Sequence, residues 1–517
     1  MKHFLLILLG AAILAGCTVG PNYKHPKIAT PPSYSQTNAA AASSTNQPES
    51  LARWWTVFHD PELESLVQRA LQNNRDLRQA ASRVRQARAQ RGVVASGLLP
   101  EIDATGGFDH ARGSKNVNIP SAAFGAGGGG GGAQKAVAHS PRQRTDATTT
   151  SARTPSATPP GGPQSPFGLG GFPGSETDIY QMGLQTSWEI DIFGGVRRSI
   201  EAAWANIAAT EEGRRAILIG LLAEVATNYV ELRSVQNQLQ IARGMLQSQQ
   251  DTLAIINARF TNGLSTELDF QQQTFEAATT TASIAPLEMR EREIMHALAY
   301  LVAVDPGALD GELAGPRDLA EAPLPPLGLP SDLLRRRPDV RQAERALAAA
   351  TAQIGAATAD LFPKFSLTAM AGLDSSRAEN IMDWSSRYFA FSPGVSWPIL
   401  DWGRIHSNIK VQNELQAQAL LAYENTVARA LRDVEDALVR YDRELAHRQA
   451  LGAAAHAGEL ALRLARARYE RGLSDFLNVL TAQRSLLAAQ DSLAQSDAAI
   501  RSDVVKLYVA LGGGWEP

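Results

Sequence analysis

The stretch ARFTNGLSTELDF, Ala258 to Phe270, returns as ARYERGLSDFLNV, Ala467 to Val479, with six of thirteen residues identical at a step of 209 positions. The same step carries SWEIDIFGGV (Ser187–Val196) onto SWPILDWGRI (Ser396–Ile405), and Glu224-Val225 onto Asp433-Val434, with no gap between them. Upstream, RDLRQA (Arg75–Ala80) matches PDVRQA (Pro338–Ala343), and LLPEI (Leu98–Ile102) matches LFPKF (Leu361–Phe365), here at a step of 263. The 54-residue difference between the steps is an insertion in the first copy, between Ile102 and Ser187. The chain therefore reads as one unit written twice, the first copy carrying the insertion. The copies are expected over 61–302 and 336–511.

Each copy reads as short helix, strand, strand, long helix, turn, long helix. The strands show by period two. In YQMGLQTSWEI, Tyr180, Met182, Leu184, Trp188 and Ile190 share a face, while Gln181, Gly183, Gln185, Ser187 and Glu189 share the other. FAFSPGVSWPI alternates likewise, with Phe389, Phe391, Val395, Trp397 and Ile399 on one face. Strands are predicted at about 101–110, 178–190, 364–373 and 388–399. Ten residues suffice for a tilted membrane strand, and faces that are apolar with aromatic ends on one side and small and polar on the other suit lipid outside and a wet lumen inside. A soluble half-buried sheet is the plainer alternative.

From Gly194 to Phe260, and again from Gly403 to Tyr469, there is no proline. Helices of that length reach about 100 Å, and their Ala, Leu, Ile and Val interrupted by Gln, Arg and Glu suit a coiled-coil wall. Between each long helix and its return stands Gly-Leu-Ser, predicting hairpin tips at 260–265 and 469–474. Gly263 and Gly472 fall where a helix C-terminus needs a left-handed residue. Ser265 and Ser474 fall where an N-cap is wanted. Glu267 and Asp475 then bring negative charge to the first turn of the returning helix, with Leu264 and Leu473 at the apex. The insertion, about 111–175, contains GAGGGGGGA and TPSATPPGGPQSP. Such a tract buries too little apolar surface to order itself and reads as a flexible loop.

The start, MKHFLLILLGAAILAGC, has a polar beginning and an apolar run from Phe4 to Ala15. That run is too short to span a bilayer as a stable helix and reads as a signal peptide over 1–16. Leu14-Ala15-Gly16-Cys17 resembles a bacterial lipobox, which implies diacylation of Cys17 as the first mature residue, with Thr18 suiting outer-membrane sorting. Cys17 is the one cysteine, so no intramolecular disulfide or cysteine metal cluster can form. The nine histidines include no HExxH pair, and no P-loop or Gly-x-Ser-x-Gly elbow occurs. No enzyme, metal or cofactor is expected. A net charge of -3 gives no basic footprint for nucleic acid.

CTVGPNYKHP (Cys17–Pro26), RWWTVFHDPEL (Arg53–Leu63), LPSDLLRRRPDVRQAE (Leu329–Glu344) and the two tips together resemble the outer membrane factor family, the TolC- and OprM-like export ducts, and most of all its NodT-type lipoprotein branch serving resistance-nodulation-division pumps. The resemblance implies a mainly α fold with a membrane β-barrel portion: a homotrimeric duct, four strands per chain in a shared barrel, and a long helical periplasmic barrel. A belt is implied at 17–60, 303–335 and the 512–517 tail. It also implies an outer-membrane exit duct for small molecules delivered by an inner-membrane pump and a periplasmic adaptor. Four strands alone would leave open edges in lipid, so oligomerisation follows from the strands as well. Adaptor contact then falls on Gly263, Leu264, Gly472 and Leu473, and a periplasmic constriction on Asp475, Asp269 and Glu267, although each acid also complements its own helix N-terminus. A protein-secretion duct is the alternative within the resemblance, and a coiled-coil envelope scaffold the alternative outside it.

Overall fold

The repeat is kept element by element in the backbone. A computed structural model describes residues 18–35, 51–112, 116, 176–317, 325 and 330–515. The expected signal peptide, Cys17, and nearly all of the insertion lie outside these described residues. The chain divides into a helical unit (Met1–Leu98, Asp191–Lys364, Trp397–Pro517) and a sheet unit (Leu99–Ile190, Phe365–Ser396).

In the sheet unit, β1 (Glu101–Arg112), β2 (Glu176–Ile190), β3 (Lys364–Ser375) and β4 (Arg387–Ser396) lie side by side in that order. β1 and β2 are antiparallel from Glu101 opposite Ser187 to Arg112 opposite Glu176. β2 and β3 are antiparallel from Tyr180 opposite Ser375 to Ile190 opposite Phe365. β1 runs to Arg112 rather than stopping at 110, held by pairing that ends in an Arg112–Glu176 ion pair of 3.3 Å. β4 stops at Ser396, short of the expected 399, because Pro398 has no N–H to give the ladder. Gly183 stands opposite Gly372, and a Cβ on Gly372 would lie 2.3 Å from the Met182 carbonyl oxygen, so the strands meet there without side chains. Phe389, Phe391, Val395 and Leu184 are all more than half exposed, and β1 and β4 are the sheet's edges. An apolar surface of this kind requires lipid or further strands.

The helical unit holds α1 (Pro61–Asn73), α2 (Arg75–Ser96), α3 (Gly195–Thr261), α4 (Glu267–Leu301), α5 (Pro338–Ala359), α6 (Arg404–Glu470) and α7 (Phe476–Ala510). α3 and α6 have 67 residues each, α4 and α7 have 35 each, and α2 and α5 have 22 each. Gly195 to Arg404, Thr261 to Glu470 and Glu267 to Phe476 are all steps of 209, and Arg75 to Pro338 is a step of 263. Both long helices start from a left-handed glycine, Gly194 and Gly403, each with φ 81°. An aspartate just before each glycine serves the orphan amides: Asp191 accepts from the Arg197 N–H at 2.9 Å, and Asp401 from the Ile405 N–H at 2.8 Å. α4 continues through Pro286, which gives up one ladder hydrogen bond.

α1 begins as its Asp-Pro pair dictates. Asp60 accepts from the Glu62 and Leu63 amides, and Pro61 takes the first helical position. The described belt residues close on the middle of the long helices. Trp54, fully buried, stacks on Tyr508 with ring centroids 5.7 Å apart. Buried Arg233 of α3 pairs with Glu62 and donates to the Gly315 carbonyl at 2.9 Å. Arg337, from the run Arg335–Arg337, pairs with Asp339 at 2.7 Å and Asp433 at 3.2 Å. No described helix is long and apolar enough to cross a membrane.

Candidate functional site at the hairpin tips

Both tips close by the same hydrogen bonds. At the first, the Gly263 N–H donates to the Phe260 carbonyl at 2.9 Å and the Leu264 N–H to Arg259 at 2.8 Å. At the second, Gly472 donates to Tyr469 and Leu473 to Arg468, both at 2.9 Å. These are complete Schellman motifs, and the residue they turn on must be left-handed. Gly263 and Gly472 have φ 71° and 69°. A Cβ on either would meet no atom within 4 Å, so backbone conformation alone selects glycine there. The apical leucines are bare: Leu264 is 67% exposed and Leu473 63%.

The N-caps are not the serines. Thr266 caps α4, its hydroxyl accepting from the Asp269 N–H at 3.2 Å while Asp269 accepts from the Thr266 N–H at 3.3 Å, a reciprocal capping box. The acid three residues on decides this: three after Ser265 stands Leu268, three after Thr266 stands Asp269. At the second tip Asp475 takes the cap position, outside the first turn, and its side chain makes no cap hydrogen bond. The three acids assigned to a constriction therefore differ. Asp269 is engaged in the cap and receives the Ser265 hydroxyl at 2.9 Å. Glu267 and Asp475 are exposed, and neither has an ion pair among the described residues. Cys17 lies outside the described residues.

Contacts between the tips were not foreseen. Arg259 of α3 donates to the Glu470 carbonyl at the end of α6, 3.0 Å away, and its guanidinium lies 5.1 Å from the Tyr469 ring centre. The Tyr469 and Ser265 hydroxyls are 3.2 Å apart, completing a chain Tyr469–Ser265–Asp269. Beneath it Tyr469, Phe476, Val479, Leu480 and Ile256 form a small apolar core. The two hairpins are thus fastened to each other within one chain. The sequence signal was faint: the shared Ala-Arg before Phe260 and before Tyr469.

The family model described as outer membrane efflux protein matches residues 66–302 and 329–513. The chain is 32% identical over 522 residues to the toluene efflux pump outer membrane protein TtgF of Pseudomonas putida, covering 99% of this chain and 97% of that one. It is 30% identical over 508 residues to the cation efflux system protein CusC of Escherichia coli, covering 98% and 97%. Among solved structures, the outer-membrane channel OprN has a TM-score of 0.80 at 31% identity, over 97% of this chain and 100% of that chain.

Proposed function

The chain belongs to the outer membrane efflux protein family, and on that premise we propose how its paired tips serve an efflux duct. The protein is an outer-membrane component of an efflux system that reaches into the periplasm. Three copies join: their sheets close one barrel, which removes the open edges of β1 and β4, and their helices wall one passage. The duct carries no energy source of its own; an inner-membrane pump of the resistance-nodulation-division type delivers the cargo through a periplasmic adaptor. The relatives' printed cargoes, a cation and toluene, share no chemistry. That contrast supports a duct that exports small molecules without choosing among them, the pump making the choice.

The observation that carries the assignment of the tips is the pair of bare apices, Leu264 and Leu473, each set on a left-handed glycine with open space around it. Helical hairpins of the adaptor would cover these leucines and approach closely over Gly263 and Gly472. In the resting duct, threefold copies of Asp475 stand together at the constriction. Like charges in one ring repel and need water, cations or a partner. Glu267 lies nearby but complements the N-terminus of α4, worth about 0.3–1 kcal/mol, and Asp269 holds the cap. The test is drug and solvent susceptibility of a deletion strain, complemented with wild type or with the Leu264→Ser/Leu473→Ser double variant. Sensitivity with normal amounts of membrane-inserted protein is expected for the double variant. Full resistance would remove the tips from adaptor contact.

A further inference from the structure

α7 lies against both α3 and α6. Where it passes the belt, its junction with α3 leaves a crevice. Arg233 and Asn237 of α3, Arg317 beyond α4, and Asp497, Ala498 and Arg501 of α7 line it. The crevice holds about 70 Å³. A site for a drug-sized ligand needs roughly 300–1,000 Å³, so only a small ligand fits here.

The lining is rich in guanidinium groups. Arg233 is 4% exposed, and it donates to Gln236 at 2.7 Å, to the Gly315 carbonyl at 2.9 Å and to the Tyr229 hydroxyl at 3.0 Å. It also pairs with Glu62, whose other oxygen lies 2.7 Å from Arg317. Arg501 donates to the Asp497 carbonyl at 3.1 Å. The Asp497 carboxylate is taken up by Arg448 of α6 at 2.5 Å. With Glu62 and Arg448 included, four guanidinium groups stand against two carboxylates. Asp60 and Glu291 are one partner further out, beyond Tyr229 and Gln236. Two donors remain unused. The Arg233 Nε is buried and meets no acceptor, and the half-buried Asn237 amide makes no hydrogen bond among the described residues. A buried guanidinium N–H without an acceptor calls for one.

This crevice is not a by-product of the repeat. At the step of 209, Arg233 corresponds to Asp442 and Ala498 to Met289. Both the charge and the room are therefore written in one copy only.

We infer that the crevice binds a small tetrahedral oxyanion of the phosphate class. Guanidinium groups pair with oxygens in fixed, planar geometry, and several of them converging from different elements suit an anion whose oxygens point in different directions. Arg233 Nε and Asn237 donate from α3, Arg501 from α7 and Arg317 from the segment beyond α4. The bound anion thus ties α7 and the belt to α3. Nothing in this reading depends on the cargo of the duct or on the assignment of the tips.

The experiment is isothermal titration calorimetry of the full-length protein, extracted from outer membranes in detergent, with sodium phosphate and, separately, with sodium chloride at matched ionic strength. Phosphate should bind saturably, once per chain, and chloride should give no saturable heat. Asn237→Asp puts a negative charge into the crevice without changing its shape, and Arg317→Gln removes a half-exposed guanidinium. Each should weaken phosphate by roughly tenfold or more, the cost of one hydrogen bond to a charged group. Arg243→Gln, which removes an exposed α3 guanidinium paired with Glu288, should bind as wild type does. Thermal melts in chloride establish that each variant is folded. A parallel titration with glycerol 3-phosphate separates the sources: tighter binding of the ester names a lipid headgroup, and tighter binding of phosphate names the free ion. Absence of saturable phosphate heat in wild type overturns the site. So does equal phosphate affinity in wild type and both crevice variants, or an equal loss in Arg243→Gln.

Discussion

The Arg259 guanidinium donates to the carbonyl oxygen of Glu470, 211 residues further along the chain and the last residue of α6. One long helix therefore caps the other. A cation at a helix C-terminus is worth about 0.3–1 kcal/mol, and a guanidinium over an aromatic ring at least about 0.5–1 kcal/mol. The tips, with few buried contacts of their own, open locally before the belt does.

Arg259→Ala should therefore loosen the tips without unfolding the protein. Amide exchange in 258–266 and 467–474 should quicken by roughly tenfold, the equivalent of about 1.4 kcal/mol, while the belt around Trp54 keeps its protection. Unchanged exchange at the tips would mean that this fastening has no energetic weight.

Leu264→Ser and Leu473→Ser each remove an exposed side chain, so thermal stability should stay within about 0.5 kcal/mol of wild type. Efflux should fall. Gly472→Ala forces a Cβ into the left-handed region at about 1–2 kcal/mol, and Gly472→Trp adds bulk at the adaptor surface; both should insert into the membrane, and the second should lose resistance in susceptibility tests. Gly472→Trp cells with full resistance would defeat adaptor docking at this apex.

Asp475 and Asp269 should separate by experiment. Asp475→Ala should raise single-channel conductance in planar bilayers and leave stability nearly unchanged, since its side chain makes no cap bond. Asp269→Ala removes half of the capping box and should cost about 0.5–2 kcal/mol, read as a lower melting temperature. Asp475→Ala channels that conduct like wild type would exclude Asp475 from the constriction.

Acid should act on the start of α5 through Asp339. Burial alone would raise its carboxyl, but the hydrogen bond and charge of Arg337 hold it below the usual carboxylate range. A carboxylate with a lowered folded pKa stabilises the fold above its unfolded pKa, about 3.9, and loses that contribution as pH falls through the folded value. Asp339→Asn should therefore be less stable than wild type at pH 7, and the gap should close as the pH is taken below about 3.9. Parallel denaturation curves at both pH values would contradict this.

Lipidation at Cys17 is predicted from Leu-Ala-Gly-Cys. Mass spectrometry of the mature N-terminus should find a diacylated cysteine followed by Thr18. Cys17→Ala should keep part of the activity, because residues 19–22 are held independently: buried Arg198 donates to the Val19 carbonyl at 3.0 Å and to Asn22 at 2.7 Å. A free thiol at Cys17 or a retained leader would refute the assignment.

The repeat made most of the architecture legible. An insertion-free step of 209 can be kept only if helix lengths agree, and hydrophobic period separates strands from helices without reference to tertiary contacts. Strand ends were less legible: β1 reaches Arg112 because β2 offers Glu176 as its last partner, a pairing across the insertion. The caps were legible by the wrong rule, since in Ser265-Thr266 either hydroxyl can cap and only Asp269 breaks the tie. Arg259 and Glu470 could not be joined from sequence at all. Their contact depends on α3 and α6 ending level.

That equality of 67 and 67 residues limits how such a chain can change. Deleting one residue from α3 would draw its tip back about 1.5 Å and turn it about 100°, swinging Arg259 away from Glu470 and Leu264 off its bearing. The loss would be repaired only by the same deletion in α6. Length is therefore inherited jointly by the two halves, and related chains should gain or lose helical residues in matched pairs. The stretch between β1 and β2 is under no such bond, and there a single copy could lengthen by 54 residues alone.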